Sequence, residues 1–240
     1  MNTNAKQQYT YRSEDWPWVW AIRNPEILDC NRALQQDEIR TLALMQNQIR
    51  YVPLPVSDNL LIGCRHSVLN SEVLKEMGIT HVLNMAGPHC KLPVEDFVKT
   101  GIVYKELDAQ DDEEYPLLEL HWQEARVFIN GAREKNGKCV VNCGGGMNRS
   151  GLIVAAAMLC EEDKKRTVLE VVRDLRKVRG NWALANEFFQ EQLVALARSH
   201  GRLGPAPGED GSFVDESPPA EVMRVSEAEQ PDGLLLLTNY

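Results

Sequence analysis

Through its middle the chain alternates short apolar runs of strand length with longer stretches of helical period. The runs at 59–62, 80–85, 102–107 and 138–142 predict strands. Helices are predicted over 71–77, 117–134, 150–160, 166–177 and 187–199. Val168, Val171, Val172, Leu175 and Val178 recur at the spacing of one helical face, so that helix lies on a core. Residues 152–160 are apolar on every side, which predicts a central buried helix. Strand–helix alternation implies an α/β fold: a central, mostly parallel sheet of four to five strands flanked by helices on both faces.

The two ends follow other patterns. Trp16, Trp18 and Trp20 alternate in W-P-W-V-W, which predicts an extended segment with the indoles on one face. Indoles bury much apolar area, so the segment is expected to pack on the main body or, as the lesser alternative, to meet a protein partner. A helix with a loose apolar stripe (Ile39, Leu42, Leu44, Met45) is predicted over 35–48. From 201 onward the chain is rich in Gly, Pro, Ser and acids, and is expected to be a disordered tail. Three parts result: an N-terminal extension over 1–52, a main α/β domain over 53–200, and an acidic tail over 201–240.

Charge sharpens this division. The net charge is −9, but 201–240 carries eight acids and two arginines, a share of −6, leaving −3 for the other 200 residues. The acidity therefore belongs to the tail, and it argues against nucleic acid as a partner. Hydrophobic content of 43% fits a soluble globular protein, and no apolar stretch is long enough to span a membrane. The opening residues M-N-T-N-A-K-Q-Q-Y lack an apolar secretory segment. Six cysteines (30, 64, 90, 139, 143, 160) show neither a paired framework nor zinc spacing, and the five histidines form no ligand cluster. A reduced, cytoplasmic or nuclear setting is expected, with no metal or cofactor. A reversible disulfide between Cys90 and Cys143 is conceivable; an ordinary loop cysteine at 90 is the simpler expectation.

The chemistry concentrates at K-C-V-V-N-C-G-G-G-M-N-R-S-G, residues 138–151. A strand ends in Cys143, three glycines follow, and Arg149 precedes a buried helix. Such a loop turns backbone N–H groups inward at the positive end of a helix and makes an anion site. The same field favours a thiolate at its mouth. Arg149 adds a planar, two-pronged donor suited to phosphate. The spacing alone is weak evidence: Cys160 and Arg166 share it, but C-E-E-D-K-K-R has no glycine and three acids. The alternative at Cys143, a structural cysteine beside a glycine turn, needs neither three glycines nor an arginine. The residues thus assign Cys143 as nucleophile. The N–H groups of Gly144, Gly145, Gly146, Met147, Asn148 and Arg149 become the phosphate cradle, with Arg149 the charge-neutralising cation.

With these residues in view, the segment resembles the phosphate loop of the cysteine-based protein phosphatases, specifically their dual-specificity branch. G-I-T-H-V-L-N-M-A at 78–86, Y-K-E-L-D-A-Q-D at 104–111 and N-E-F-F-Q-E-Q-L at 186–193 extend the likeness over roughly 53–198. The resemblance implies a cysteine-phosphatase-like fold and hydrolysis of phosphotyrosine and phosphoserine/threonine in proteins through a phosphocysteine. It places the proton donor on Asp111, with Asp108 and Asp112 as alternatives. It gives Ser150 a hydrogen bond to the sulfur, against a plain helix-capping role, and it gives Asn186 a supporting role at the phosphate loop, again against a helix cap. The family usually has histidine where this chain has Asn142, which carries no charge, so lower activity is implied with the mechanism intact. Other readings are a phosphate-binding module without turnover, a scaffold acting through its ends, and a sulfur transferase. With no lysine in G-G-G-M-N, singly phosphorylated groups are favoured. The loops at 87–93 and 180–184 are expected to set pocket depth.

Overall fold

The computed structural model describes residues 9–24, 52–161 and 163–207. The helix predicted over 35–48 and the tail beyond 207 lie outside them. Five strands form one sheet: β1 (Leu54–Pro55), β2 (Leu60–Cys64), β3 (Ile79–Asn84), β4 (Val103–Glu106) and β5 (Lys138–Cys143). Their spatial order is β1-β2-β5-β3-β4. Only β1 runs antiparallel to its neighbour; the other contacts are parallel. β2 is buried at every position and β5 at all but its first, as strands covered on both faces must be.

Seven α-helices surround the sheet among the described residues: α1 (Trp16–Arg23), α2 (Ser71–Glu76), α3 (Val94–Thr100), α4 (Leu117–Glu134), α5 (Arg149–Leu159), α6 (Val168–Arg179) and α7 (Glu187–Ser199). The period-two alternation of the strands divides the core. Leu60, Ile62, Leu83 and Val141 join the larger cluster with α4, α5, α6 and α7. Leu61, Val82 and Val140 turn to the smaller cluster with Leu74 of α2 and Phe97 of α3. α5 is buried from Ser150 through Leu159, the central helix that its all-round apolarity predicts. α4 buries Leu117, Leu118, Trp122, Ala125, Ile129 and Ala132, a stripe at alternating steps of three and four. α6 opens with a capping box in which Thr167 and Glu170 exchange bonds.

Two short elements escape the sequence patterns. α3 has seven residues and buries only Phe97, so it shows no periodicity; Gly101, at φ +79°, ends it. β1 is two residues long and holds Pro55, which an edge strand tolerates because it needs no N–H on its open side.

The tryptophan segment corrects its prediction. It is not extended: a 3-10 turn over Ser13–Asp15 leads into the helix α1. Pro17 sits in the first turn, where its missing N–H costs no hydrogen bond. Val19, Ala21 and Ile22 are the buried residues, while the three indoles stay half-buried. Helical winding separates positions 16 and 18 instead of aligning them. The contacts support packing on the main body and carry nothing toward a partner. Asp15 is fully buried and pairs with Arg198 of α7. Arg23 reaches Glu191 at 2.9 Å and Glu187 at 3.2 Å. Arg176 Nη1 donates to the Ile22 carbonyl at 2.7 Å. At the far end, the Arg202 carbonyl accepts from the Val168 N–H at 2.9 Å, and Leu203 packs on the core.

Asp15 makes this dock sensitive to one residue. Replacing Arg198 with Ala leaves a buried carboxylate without its cation, and a loss of about 3 kcal/mol is expected. Arg12→Ala, which removes an ion pair whose side chains are 55% and 66% exposed, should leave stability unchanged. Denaturant midpoints of the two variants provide the check.

Candidate active site

The parallel strands deliver their ends to one edge. Cys64 lies beside Cys143 across β2 and β5, and Asn84 lies beside Asn142 across β3 and β5. Loops leaving the carboxyl ends of parallel strands face a common crevice. Residues 144–148 turn there from β5 into α5.

The loop owes its shape to outward anchoring of its carbonyls. The Gly144 oxygen accepts from the Arg65 N–H at 3.1 Å. Arg179, the last residue of α6, holds the next two with its planar fork: Nη2 to Gly145 at 2.7 Å and Nε to Gly146 at 2.9 Å. The Met147 oxygen accepts from the Leu184 N–H at 3.1 Å. A trans peptide sets its N–H opposite its carbonyl. The N–H groups of 145–148 are therefore aimed at the inside of the turn. Gly146 donates there to the Cys143 sulfur at 3.2 Å. Its φ of +71° needs glycine, and a Cβ would stand 2.6 Å from the Gly63 oxygen. Asn148 contributes its side chain outward, accepting from the N–H groups of Ala185 at 2.9 Å and Asn186 at 3.1 Å.

Cys143 is buried, and its sulfur lies 3.3 Å from the Ser150 hydroxyl. Ser150 is fully buried and is not the helix cap; Asn148 occupies the N-cap position. The Arg149 guanidinium is placed by the acid loop: Nη1 donates to the Ala109 carbonyl at 3.1 Å. Its Nε has no hydrogen-bond acceptor among the described residues, and the Asp111 carboxylate stands 3.8 Å away. Of the three aspartates weighed from sequence, Asp111 alone is brought to Arg149. Asp108 turns toward His89 at 3.9 Å, and Asp112 accepts from the Glu114 N–H at 3.1 Å.

Two polar residues find partners that the sequence does not indicate. The side chain of Asn186 does not bond the phosphate loop. Its Oδ1 caps α7 through the Phe189 N–H, and its Nδ2 donates to Asp111 Oδ1 at 3.3 Å and the Asp112 carbonyl at 3.1 Å. One amide has a donor end and an acceptor end, so it serves the cap and the acid loop together. Asn142 is fully buried and turns to Asn84 at 3.4 Å rather than to the loop backbone. Asn84 spends its own amide on the carbonyls of Gly87 and Cys90 and on the Tyr104 hydroxyl. Burial first of all pushes Tyr104 up to about 12, so it remains a neutral partner at neutral pH.

Several supports lie beyond what the motifs indicate. Arg179 follows a run of basic residues at the end of a helix, where a plain dipole role would account for it. Burial lowers its pKa, while charge at Cys64 and Cys143 acts the other way. Leu184 holds a left-handed φ of +59° although it is not glycine. Its carbonyl is tied to Gln190 Nε2 at 2.8 Å, and Arg176 Nε ties the Ala183 carbonyl at 3.2 Å. Cys90 and Cys143 are both free thiols, and burial raises the Cys90 pKa. Cys139, two strand steps before Asn142's neighbour Val141, is fully buried and is pushed up by burial alone.

The anchoring is testable. Arg179→Lys keeps the charge but loses the fork, so vanadate binding should weaken about tenfold while the unfolding midpoint barely moves. Gly146→Ala should abolish binding. Calorimetric titration with vanadate measures both.

The chain matches the family profile "Dual specificity phosphatase, catalytic domain" over residues 60–199. Human dual specificity protein phosphatase 26 is 31% identical over 140 residues, a match covering 58% of this chain and 64% of that protein. Mouse protein phosphatase Slingshot homolog 1 is 31% identical over 169 residues, covering 69% of this chain but 16% of that protein. The match therefore spans less than two thirds of either relative. Human DUSP28 superposes with a TM-score of 0.53 at 19% identity, covering 62% of this chain and 95% of that one. Human tyrosine phosphatase-like serine/threonine/tyrosine-interacting protein does so at 0.55 and 20%, covering 63% and 99%. Those two likenesses concern the fold. The catalytic-domain profile fills more than half of the sequence and contains β2 through α7, so the chain belongs to the dual specificity phosphatase family.

Proposed function

We propose that this chain hydrolyses phosphate monoesters in proteins, acting on phosphotyrosine and on phosphoserine or phosphothreonine. The supporting observation is the Cys143 sulfur, held by the Gly146 N–H and the Ser150 hydroxyl inside a turn whose carbonyls all point away. A sulfur so placed attacks phosphorus from the floor of the cradle. The S–P bond forms as the P–O bond to the leaving group breaks. The inward N–H groups and Arg149 take the charge spread over the equatorial oxygens. Asp111 gives its proton to the departing oxygen, which then leaves as a neutral alcohol or phenol.

In the second step Asp111, now ionised, draws a proton from water as that water attacks the phosphocysteine. The S–P bond breaks and the thiolate returns, with the Ser150 hydroxyl donating to it. Asn142 brings no positive charge to the strand end, and this reading expects modest turnover. The loop carries no lysine, which suits a singly phosphorylated group. No helix among the described residues is long and apolar enough to cross a membrane, and a cytoplasmic or nuclear setting is part of this proposal.

Three variants test the proposal. Cys143→Ser should abolish turnover of a small aryl phosphate. Asp111→Ala should lower turnover by roughly a hundredfold or more on poor leaving groups, and less on p-nitrophenyl phosphate, whose phenolate leaves unprotonated. Ser150→Ala should release one equivalent of phenol in a burst and then turn over slowly, because only the second step is impaired. Wild-type protein that binds vanadate yet hydrolyses nothing would overturn the reading in favour of a phosphate-binding module.

A further inference from the structure

Trp182 is 76% exposed, the most open of the large apolar side chains among the described residues. Its setting is not a loose loop. The next two residues, Ala183 and Leu184, are fully buried. The turn is closed by the Ala183 N–H on the Gly180 carbonyl at 3.0 Å. On one side of the indole, Arg179 grips the carbonyls of Gly145 and Gly146; on the other, the Leu184 N–H holds Met147. Arg176 and Gln190 fix the carbonyls of Ala183 and Leu184 from behind. The segment that carries Trp182 is thus bonded to the loop on both sides of it in sequence, by the Arg179 side chain before it and the Leu184 backbone after it, and the indole is its outward member.

Folding gains little from an indole left in water, whereas a bound ligand gains a rigid aromatic face with few torsions to freeze. The adjoining rim decides what that ligand is. Residues 111–114 are four consecutive exposed acids, and Asn186 ties their loop to the same segment that holds Trp182. An aromatic face carried by the segment that Asn186 ties to these acids suits a cation with an apolar stem, as on Arg or Lys.

We infer that Trp182 is a specificity-determining contact for the peptide bearing the phosphorylated residue, taking a neighbouring Arg or Lys side chain against its indole. This rests on the phosphatase reading above. The test compares wild type, Trp182→Ala and Trp182→Phe in the full chain, with p-nitrophenyl phosphate and with phosphopeptides differing only in Arg or Glu beside the phosphoresidue. The expected result for Trp182→Ala is a fall of about three- to tenfold in kcat/KM on the Arg peptide, carried by KM. Trp182→Phe should recover part of it. The aryl phosphate, too small to reach the rim, and the Glu peptide should change less than twofold. A parallel loss on all substrates would mark a merely structural side chain and overturn the inference, as would equal losses on both peptides or no change at all. In those cases wild-type turnover leaves the phosphatase reading standing. Wild type inert on every substrate overturns both.

Discussion

The site depends on a single constraint: the carbonyls of four consecutive residues, 144–147, are each bonded to a donor outside the loop. A backbone carbonyl is obliged to find a partner, and each outward bond fixes the N–H behind it inward. The cradle is therefore held by groups that never touch its contents. The four donors come from three places: the residue after β2, the end of α6 (twice) and the turn before α7. The parallel sheet brings them together by ending β2 and β5 at the same level, with Cys64 beside Cys143.

The same economy extends outward through α6. Arg176 bonds the Ile22 carbonyl on α1 with one nitrogen and the Ala183 carbonyl with another. Ala183 adjoins Leu184, whose N–H anchors the phosphate loop. The N-terminal helix is in this way part of the wall behind the site, joined by the buried Asp15–Arg198 pair to α7. A left-handed Leu184 costs on the order of 1 kcal/mol, and the bonds from Gln190 and to Met147 hold it there.

Much of the architecture was legible in the chain. The four principal strands and five of the helices fall where apolar runs and helical stripes put them, because burial of α4, α5, α6 and α7 follows a local periodicity. α3 was not, since one buried phenylalanine makes no period. The W-P-W-V-W segment misleads for the opposite reason: three residues in alternation imitate a strand, whereas Val19 and Ile22 face the core at helical spacing. Cys143, the glycines, Arg149 and Ser150 were legible as a candidate site because they are neighbours in sequence.

What sequence alone determined, then, was the residue pattern of 138–151 and the alternation that buries it, both set by near neighbours. Tertiary structure decided the rest. It brought the Asp111 carboxylate, and not Asp108 or Asp112, to Arg149, sent the Asn142 amide to Asn84, split Asn186 between a helix cap and the acid loop, and turned Arg179 from a helix-end charge into a clamp. Each choice joins groups tens of residues apart. Residue type supplies the donor or acceptor, but only packing specifies which distant partner is within a hydrogen bond's reach.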